Sequence, residues 1–406
     1  MVRALLSTPG VARLFGTSMV GRVPGAALGL LLILRARELG GGYADGGLVG
    51  GAFAFGLGAA APLVGRLVDA HGQTRVLGAC AAACATALAA LALVPAGTPV
   101  ATLVALAVVA GAAHPPLGPC LRALWPVLLT DAERRHAAYA VESVALEVSY
   151  ILGPLVLVGA VATRSAALAL GACVVLVAAG TLAFATAPAS REWRPAAGVR
   201  RGFLGALASP GTRTLLATQA TVAVSFGAIE VSVVAFAQHA GARGAIGPLL
   251  AGWGIASMAG GALAIRFGAG DPARRLVALL VALAASDALL VAATGPLALA
   301  VLLVVAGAGI APVFAILYRV AGEVAREGTV TEAFTWLGTA LSVGLAGGSA
   351  AGGALAAAGG ARAGFLAAAA SAGLAATIAA ARTRDLTTEG REAAAPASAA
   401  APASAG

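Results

Sequence analysis

Residues 99–122 read PVATLVALAVVAGAAHPPLGPCLR, and residues 297–319 read LALAVLLVVAGAGIAPVFAILYR. Each stretch runs apolar for about 20 residues, enough for a helix to cross a hydrocarbon core of ~30 Å. Each meets its first arginine, Arg122 or Arg319, only at its far end. The two also share a register. Val108-Val109-Ala110-Gly111 followed by Pro116 matches Val304-Val305-Ala306-Gly307 followed by Pro312. A membrane helix that occurs twice at one spacing points to a duplicated unit.

The pattern extends in both directions. Apolar runs recur at roughly 11–34, 46–68, 75–95, 99–122, 138–162 and 165–187, then at 213–237, 245–267, 275–294, 297–319, 333–358 and 362–381. Gly65-Arg66-Leu67-Val68-Asp69-Ala70-His71-Gly72 follows the second run, and Gly261-Ala262-Leu263-Ala264-Ile265-Arg266-Phe267-Gly268 follows the eighth. Ala138-Tyr139 with Gly153 matches Ala333-Phe334 with Gly348, one residue out of register. The expected fold is therefore all-α and membrane-embedded, with twelve transmembrane helices in two pseudo-symmetric six-helix halves. Residues 1–187 form the first half, 188–212 a basic linker and 213–382 the second half. An Ala/Pro/Ser-rich tail over 383–406 carries no amphipathic pattern and reads as disordered. Two parallel halves imply an axis along the membrane normal, with a substrate site between them near the midplane.

Composition agrees. Only 11% of the 406 residues are charged and 60% are hydrophobic, against about 25% charged in a soluble domain. So little charge cannot cover a globular surface, but it suits one that faces lipid. The net charge of +9 does not indicate nucleic acid, because the arginines lie in short gaps between apolar runs. Taken alternately, one set of gaps holds Arg3, Arg13, Arg66, Arg75, Arg134, Arg135, the linker arginines, Arg266, Arg274, Arg275, Arg326, Arg382 and Arg384. The other holds Arg35, Arg37, Arg164, Arg243 and Arg362. The richer set marks the cytoplasmic side, so both termini are expected inside a plasma (inner) membrane, with the first run an uncleaved span. Cys80, Cys84, Cys120 and Cys173 all lie within apolar runs, with no His or carboxylate beside Cys80 and Cys84. They read as packing residues, and neither a metal nor a cofactor is expected.

At this point the sequence resembles the major facilitator superfamily and, more loosely, its bacterial drug:proton antiporter branch. The resemblance covers residues 11–382. It rests first on Gly65-x-x-x-Asp69-x-x-Gly72-x-x-Arg75, which looks like the family's signature loop between helices two and three. The resemblance implies that this loop holds the halves together on the cytoplasmic side. Gly65 would permit close helix approach and Gly72 the turn. Asp69 would offer its carboxylate to a helix N-terminus or an arginine. Ala70, Gln73 and Thr74 stand where the family usually has charge, and Ile265 replaces the second Asp, which implies a weaker latch. Gly153-Pro154, with Gly159 following, resembles part of the antiporters' Gly-Pro motif, a helix-packing element that favours export. Arg122 lies where many of these antiporters carry a functional arginine; beside Trp125 it could equally be an interfacial anchor.

Ionisable groups at membrane depth cost several kcal/mol unless paired or wet, and so mark candidate sites. Here they are Arg22 in span one, His114 beside Pro115-Pro116 in span four, Arg122, Glu142 and Glu147 in span five, and Glu230 in span seven. Gln219 and Phe226 share a face with Glu230. The family fold implies that spans one, four, five, seven, eight, ten and eleven line a cavity. It leaves Asp287 on a peripheral span, near the outer interface. Glu142 is about one turn into the membrane and open to solvation; Glu147 is deeper, with Tyr150 one turn on. A desolvated glutamate can take up and release a proton, and exchange of an arginine partner for a substrate or a proton is one coupling scheme. A fixed Arg–Glu tie between helices is the other.

No phosphate-cradling Gly-Lys-Ser/Thr loop and no catalytic constellation appears, so neither ATP drive nor an enzyme is expected. The leading expectation is a monomeric secondary transporter working by alternating access. Its partners would be protons, the lipid bilayer and a small-molecule substrate, most simply an amphipathic compound that is exported. An importer of a small organic solute and a non-transporting sensor or scaffold are the alternatives. The costly Arg22, Glu147 and Glu230 weigh against the last.

Overall fold

Long uninterrupted runs of Ala, Leu and Val with no charge to hydrate have only one stable state in lipid, the helix, because it satisfies every backbone group internally. The computed structural model describes residue 5 and residues 8–162, 164–193, 205–264 and 270–387. Among these residues, eleven helices are long and apolar enough to cross a membrane. They are α1 Val11–Glu38, α2 Asp45–His71, α3 Gln73–Leu93, α4 Val100–Leu128, α5 Ala132–Gly159, α6 Ala166–Ala185, α7 Pro210–His239, α8 Arg243–Ala264, α9 Pro272–Ala292, α10 Pro296–Val324 and a continuous stretch Val330–Ala381. That stretch, 52 residues long, is two spans. Gly360, with φ 72° and ψ 177°, breaks it; without a Cβ, Gly360 takes this conformation at no steric cost. It yields α11 over 330–359 and α12 over 361–381, and the count is twelve.

Several spans are broken where the sequence removes a backbone N–H. α1 is interrupted between Arg22 and Gly25 at Pro24, and α4 between Ala112 and Leu117 at Pro115-Pro116. α10 breaks at the equivalent level, between Gly307 and Ile310. Past Gly153, the end of α5 continues as a π-helix over Pro154–Ala162. Freed carbonyls at such breaks are tolerated where they face protein or a wet cavity.

The ends of the molecule are held differently. Arg35 on α1 donates to the carbonyls of Leu91, Ala92 and Val94, closing the C-terminus of α3. Glu38 accepts from the Ala166 amide at the start of α6. These bonds join helices of one half. At the other end, where α2 turns into α3, Asp69 and Arg66 bond across to the other half.

The ends of the linker are anchored. A short helix Pro188–Glu192 places Ser190 in the interior, where its hydroxyl donates to Gln73 Oε1 at 3.1 Å. A turn at Thr383–Leu386 buries Leu386, and Asp385 accepts from Thr214 on α7 at 3.2 Å. Thr383–Leu386, which composition assigns to the tail, thus pack against the second half. The linker arginines Arg194, Arg200 and Arg201, the second-half loop residues Ile265, Arg266 and Gly268, Arg3, and the tail from residue 388 lie outside the described residues.

Candidate functional site

The signature loop places Asp69 near the end of α2, almost fully buried. Its Oδ1 accepts from the Thr331 amide at 3.1 Å and its Oδ2 from the Glu332 amide at 2.8 Å. These are orphan N–H groups of the first turn of α11, so Asp69 caps a helix of the other half and meets its positive dipole end. The carboxylate therefore faces a helix N-terminus. Beside it, Arg66 pairs with Glu332 at 2.7 Å. Gly65 lets the helices touch: a Cβ there would stand 2.9 Å from the Glu332 Cα. Further up the same seam, Thr339 donates to the Gly58 carbonyl at 3.0 Å. Gly72 turns the chain at φ 90°. Arg75 is exposed and stands apart from this contact. Gln73, where the family usually carries charge, is instead buried. It donates to the Cys120 carbonyl at 3.0 Å and accepts from Ser190, so neutral bonds tie the loop to α4 and the linker.

Above this seam lies a cavity of ≈ 240 Å³ between the halves. Its wall is largely apolar, with Leu57, Val64, Leu117, Leu146, Leu341 and Phe334, and Tyr150 on it is 56% exposed. Val64 and Thr335 on its wall adjoin the latch residues Gly65 and Glu332. Into its base project Arg22, His114, Arg122 and Tyr318.

Three sequence candidates converge there. Glu142 is wholly buried, contrary to the expectation that its shallow position would leave it solvated. The packing of α1 and α4 against α5, and not depth along the helix, decides its burial. Its Oε1 lies 3.0 Å from Arg22 Nη1 and 3.1 Å from Arg122 Nε, and its Oε2 accepts from Trp125 Nε1 at 3.2 Å. The Arg122 guanidinium stacks on the Tyr318 ring, 3.7 Å from its centroid. Trp125 is thus a buried donor to Glu142, not an outward-facing anchor. Sequence reasoning singled out neither Tyr318 nor Glu332. Tyr318 was hinted at by its position one residue before Arg319 at the end of an apolar run, but only long-range packing sets it on Arg122.

The other candidates lie elsewhere. Glu147, half-buried on α5, accepts from Ser257 on α8 at 3.0 Å, a bond across the halves at membrane depth. Glu230 on α7 is half-buried, with no hydrogen-bond or ion-pair partner among the described residues. Gln219 is buried with both amide atoms unpartnered, and Phe226 packs edge-on to Trp253, 5.9 Å between centroids. Asp287, near the end of α9, is fully buried and accepts from Ser225 on α7 at 2.6 Å. Gly153 packs α5 against α1, where a Cβ would stand 2.7 Å from the Val23 carbonyl, and Pro154 opens the π-helix. The four cysteines are buried thiols. Among the described residues no cluster of His, Cys, Asp and Glu is spaced to hold a metal.

Residues 14–270, more than half of the chain, match the family model of the Major Facilitator Superfamily. The chain belongs to this superfamily. It is accordingly a multi-pass membrane transporter and not an enzyme, of a family whose members bind small molecules within the membrane. The solved structures it resembles include the human organic anion transporter MFSD10 (TETRAN), 18% identical with a TM-score of 0.71 over 91% of this chain and 99% of that one. A variant of the E. coli fucose:proton symporter FucP is 14% identical, with a TM-score of 0.73 over 91% and 98%. A bacterial homologue of the iron transporter ferroportin, in an outward-facing state, is 13% identical, with a TM-score of 0.73 over 91% and 98%. At these identities the likeness is one of fold. No curated protein sequence matches this facilitator.

Proposed function

We propose that this facilitator is a monomeric, proton-coupled exporter of small amphipathic molecules in the plasma membrane, with both termini cytoplasmic. The observation that carries the coupling is the Glu147–Ser257 hydrogen bond at 3.0 Å. It joins α5 to α8 across the seam that alternating access must open, and protonation of the carboxylate weakens the attraction it exerts on a donor hydroxyl. Glu230 on α7, with no partner among the described residues, is the second candidate, suited to substrate contact. The mostly apolar cavity wall with charged groups at its base fits an amphipathic cargo. The Gly153-Pro154 resemblance favours export, and the arginine bias favours cytoplasmic termini. The drug:proton antiporters remain the nearest functional analogy. The fucose:proton symporter shares the fold, which makes proton coupling compatible with it.

The test uses inside-out vesicles with an acidified interior and a pH-sensitive dye. Compounds from a panel of aryl carboxylates, aryl amides and aryl amines that are exported should release the gradient. Glu147→Gln should abolish that release while downhill exchange and membrane insertion persist, and Glu230→Gln should mainly raise the half-saturating concentration. Wild-type gradient-driven rates in both single variants would remove carboxylate coupling as an explanation and return the glutamates to structural ties.

A further inference from the structure

The cavity base has a charge imbalance. Two guanidiniums, Arg22 and Arg122, face one carboxylate, Glu142. Both arginines line the cavity, and their side chains are only 11% and 7% exposed. Glu147, the next carboxylate on α5, bonds to Ser257 and is not part of the cavity wall. The base therefore carries one surplus positive charge, at a depth where an uncompensated ion is costly.

Hydrogen bonding is equally incomplete. Two guanidiniums present ten N–H groups. Among the described residues one of these makes a hydrogen bond to protein, Arg22 Nη1 to Glu142. Arg122 Nε lies close to the same carboxylate but outside hydrogen-bonding alignment. Stacking on Tyr318 occupies a face of the Arg122 guanidinium and leaves its in-plane donors for another acceptor. His114 Nε2, buried on the cavity wall, also has no partner. Two glycines keep the space beside these groups clear. A Cβ on Gly118 would stand 3.3 Å from the Arg22 Cζ, and a Cβ on Gly25 would stand 3.3 Å from His114 Nε2. A purely structural tie between helices needs one arginine for one glutamate. The second arginine, the idle donors and the cleared space have no role in such a tie.

We infer that the substrate of this transporter carries a carboxylate, which Arg22 and Arg122 bind together at the base of the cavity while its apolar body lies against Leu57, Leu117, Leu146 and Phe334. The inference rests on the reading that cargo enters this cavity and is independent of the proton coupling. Bidentate arginine contacts suit a planar carboxylate in particular, and charge-assisted bonds are about twice as strong as neutral ones. Glu142 then acts as a positioning residue that holds both forks in place and, through its own charge, keeps the anion from binding irreversibly.

The experiment is equilibrium binding to the purified full chain in neutral-detergent micelles, with no gradient. The probes are 4-phenylbutyrate, its amide and 4-phenylbutylamine. 4-Phenylbutyrate should bind about tenfold tighter than the amide, with the amine weakest. Arg22→Gln and Arg122→Gln should each collapse the acid-to-amide ratio toward one. A misfolded variant would lose both probes rather than the ratio, and Arg22→Lys, which keeps the charge, should retain part of the preference. Glu142→Gln should raise the ratio above wild type, an outcome that a merely structural triad does not produce. Equal binding of acid and amide, a preference for the amine, no binding of any probe, or a ratio unmoved in all four variants would overturn the assignment. Displacement of 4-phenylbutyrate by added phosphatidylglycerol, but not by other aryl carboxylates, would reassign the site to a lipid headgroup and equally overturn it. Because no proton gradient is involved, a failure of Glu147-based coupling would leave this result standing.

Discussion

Asp69→Asn isolates the contact that closes the loop end. The wild-type carboxylate accepts two backbone N–H groups of α11, at 3.1 and 2.8 Å, in a site with 1% exposure. Asparagine keeps the volume but has one acceptor oxygen, and its NH2 group would point a donor at a donor. One charge-assisted bond is therefore lost outright, and hydrogen bonds to a charged group are worth about 1.5–3 kcal/mol. A loss near 2 kcal/mol shifts the closed-to-open ratio at the loop end by about 30-fold. The neighbouring Arg66–Glu332 pair is shorter, at 2.7 Å, yet the Arg66 side chain is 36% exposed. Solvent at Arg66 screens the pair, and glutamine at that position keeps an N–H donor for the buried Glu332. Arg66→Gln should thus move the ratio less than Asp69→Asn, despite the shorter contact. Spin labels at His71→Cys and Glu327→Cys, both exposed, would report the separation of the halves; the four native cysteines are buried and resist labelling. Amide exchange over residues 326–337 should accelerate in parallel, since one of the Thr331 and Glu332 amides loses its acceptor. Transport of every substrate should slow to a similar degree. If the spin-label ratio moved by less than about threefold, or if Arg66→Gln moved it more, the ranking of a buried cap over an exposed ion pair would be wrong.

Two further outcomes follow from geometry and charge. Gly153→Val should lower stability by roughly 1–3 kcal/mol, read as a lower Tm in detergent, because its Cβ would press on the Val23 carbonyl. Gly159→Val, where the nearest atom is 3.9 Å away, should leave the Tm almost unchanged, and equal losses would discount the close approach. Reporter fusions at Arg194 and after Thr383 should both signal cytoplasm; a periplasmic signal at either would overturn the orientation drawn from the arginines.

The spans were legible because hydrophobic length is a local property. The twelve apolar runs and the break near residue 360 could be placed from Ala/Leu/Val runs, Gly and Pro alone. The breaks at Pro24 and Pro115-Pro116 follow from missing amide hydrogens. The cross-half contacts were not legible. Asp69 and Thr331 are 262 positions apart, and Arg66 and Glu332 266, with nothing local to announce the pairing. Glu142 was misjudged for the same reason: depth along one helix says nothing of the neighbours that enclose it. Gln73 is a third case: nothing local announces that burial lets this neutral amide bond to the Cys120 carbonyl and the Ser190 hydroxyl.

Helix α5 explains how the site and the seam are related. At 3.6 residues per turn, Glu142 and Gly153, 11 positions apart, fall within about 20° of one another around the axis. Both meet α1, Glu142 through Arg22 and Gly153 at Val23. Glu147 is about 140° away on the same helix, and it meets α8 of the other half. One face of α5 is thus fastened to its own half by an ion pair and a glycine contact, while its bonds to α8 of the opposite half are Glu147–Ser257 at membrane depth and a contact of the His136 ring with the Ala264 carbonyl nearer the loop end. The two attachments differ in what releases them. Steric packing at Gly153 is insensitive to protons or cargo. The Glu147–Ser257 bond weakens when its carboxylate gains a proton, and the Arg22–Glu142–Arg122 group rearranges when an anion competes for the arginines. A motion that separates the halves while each moves as a body must therefore break at Glu147 and hold at Gly153. The groups that could report cargo lie one and a half turns from the bond that must yield. That proximity on a rigid helix lets occupation of the cavity bias the seam without a longer relay.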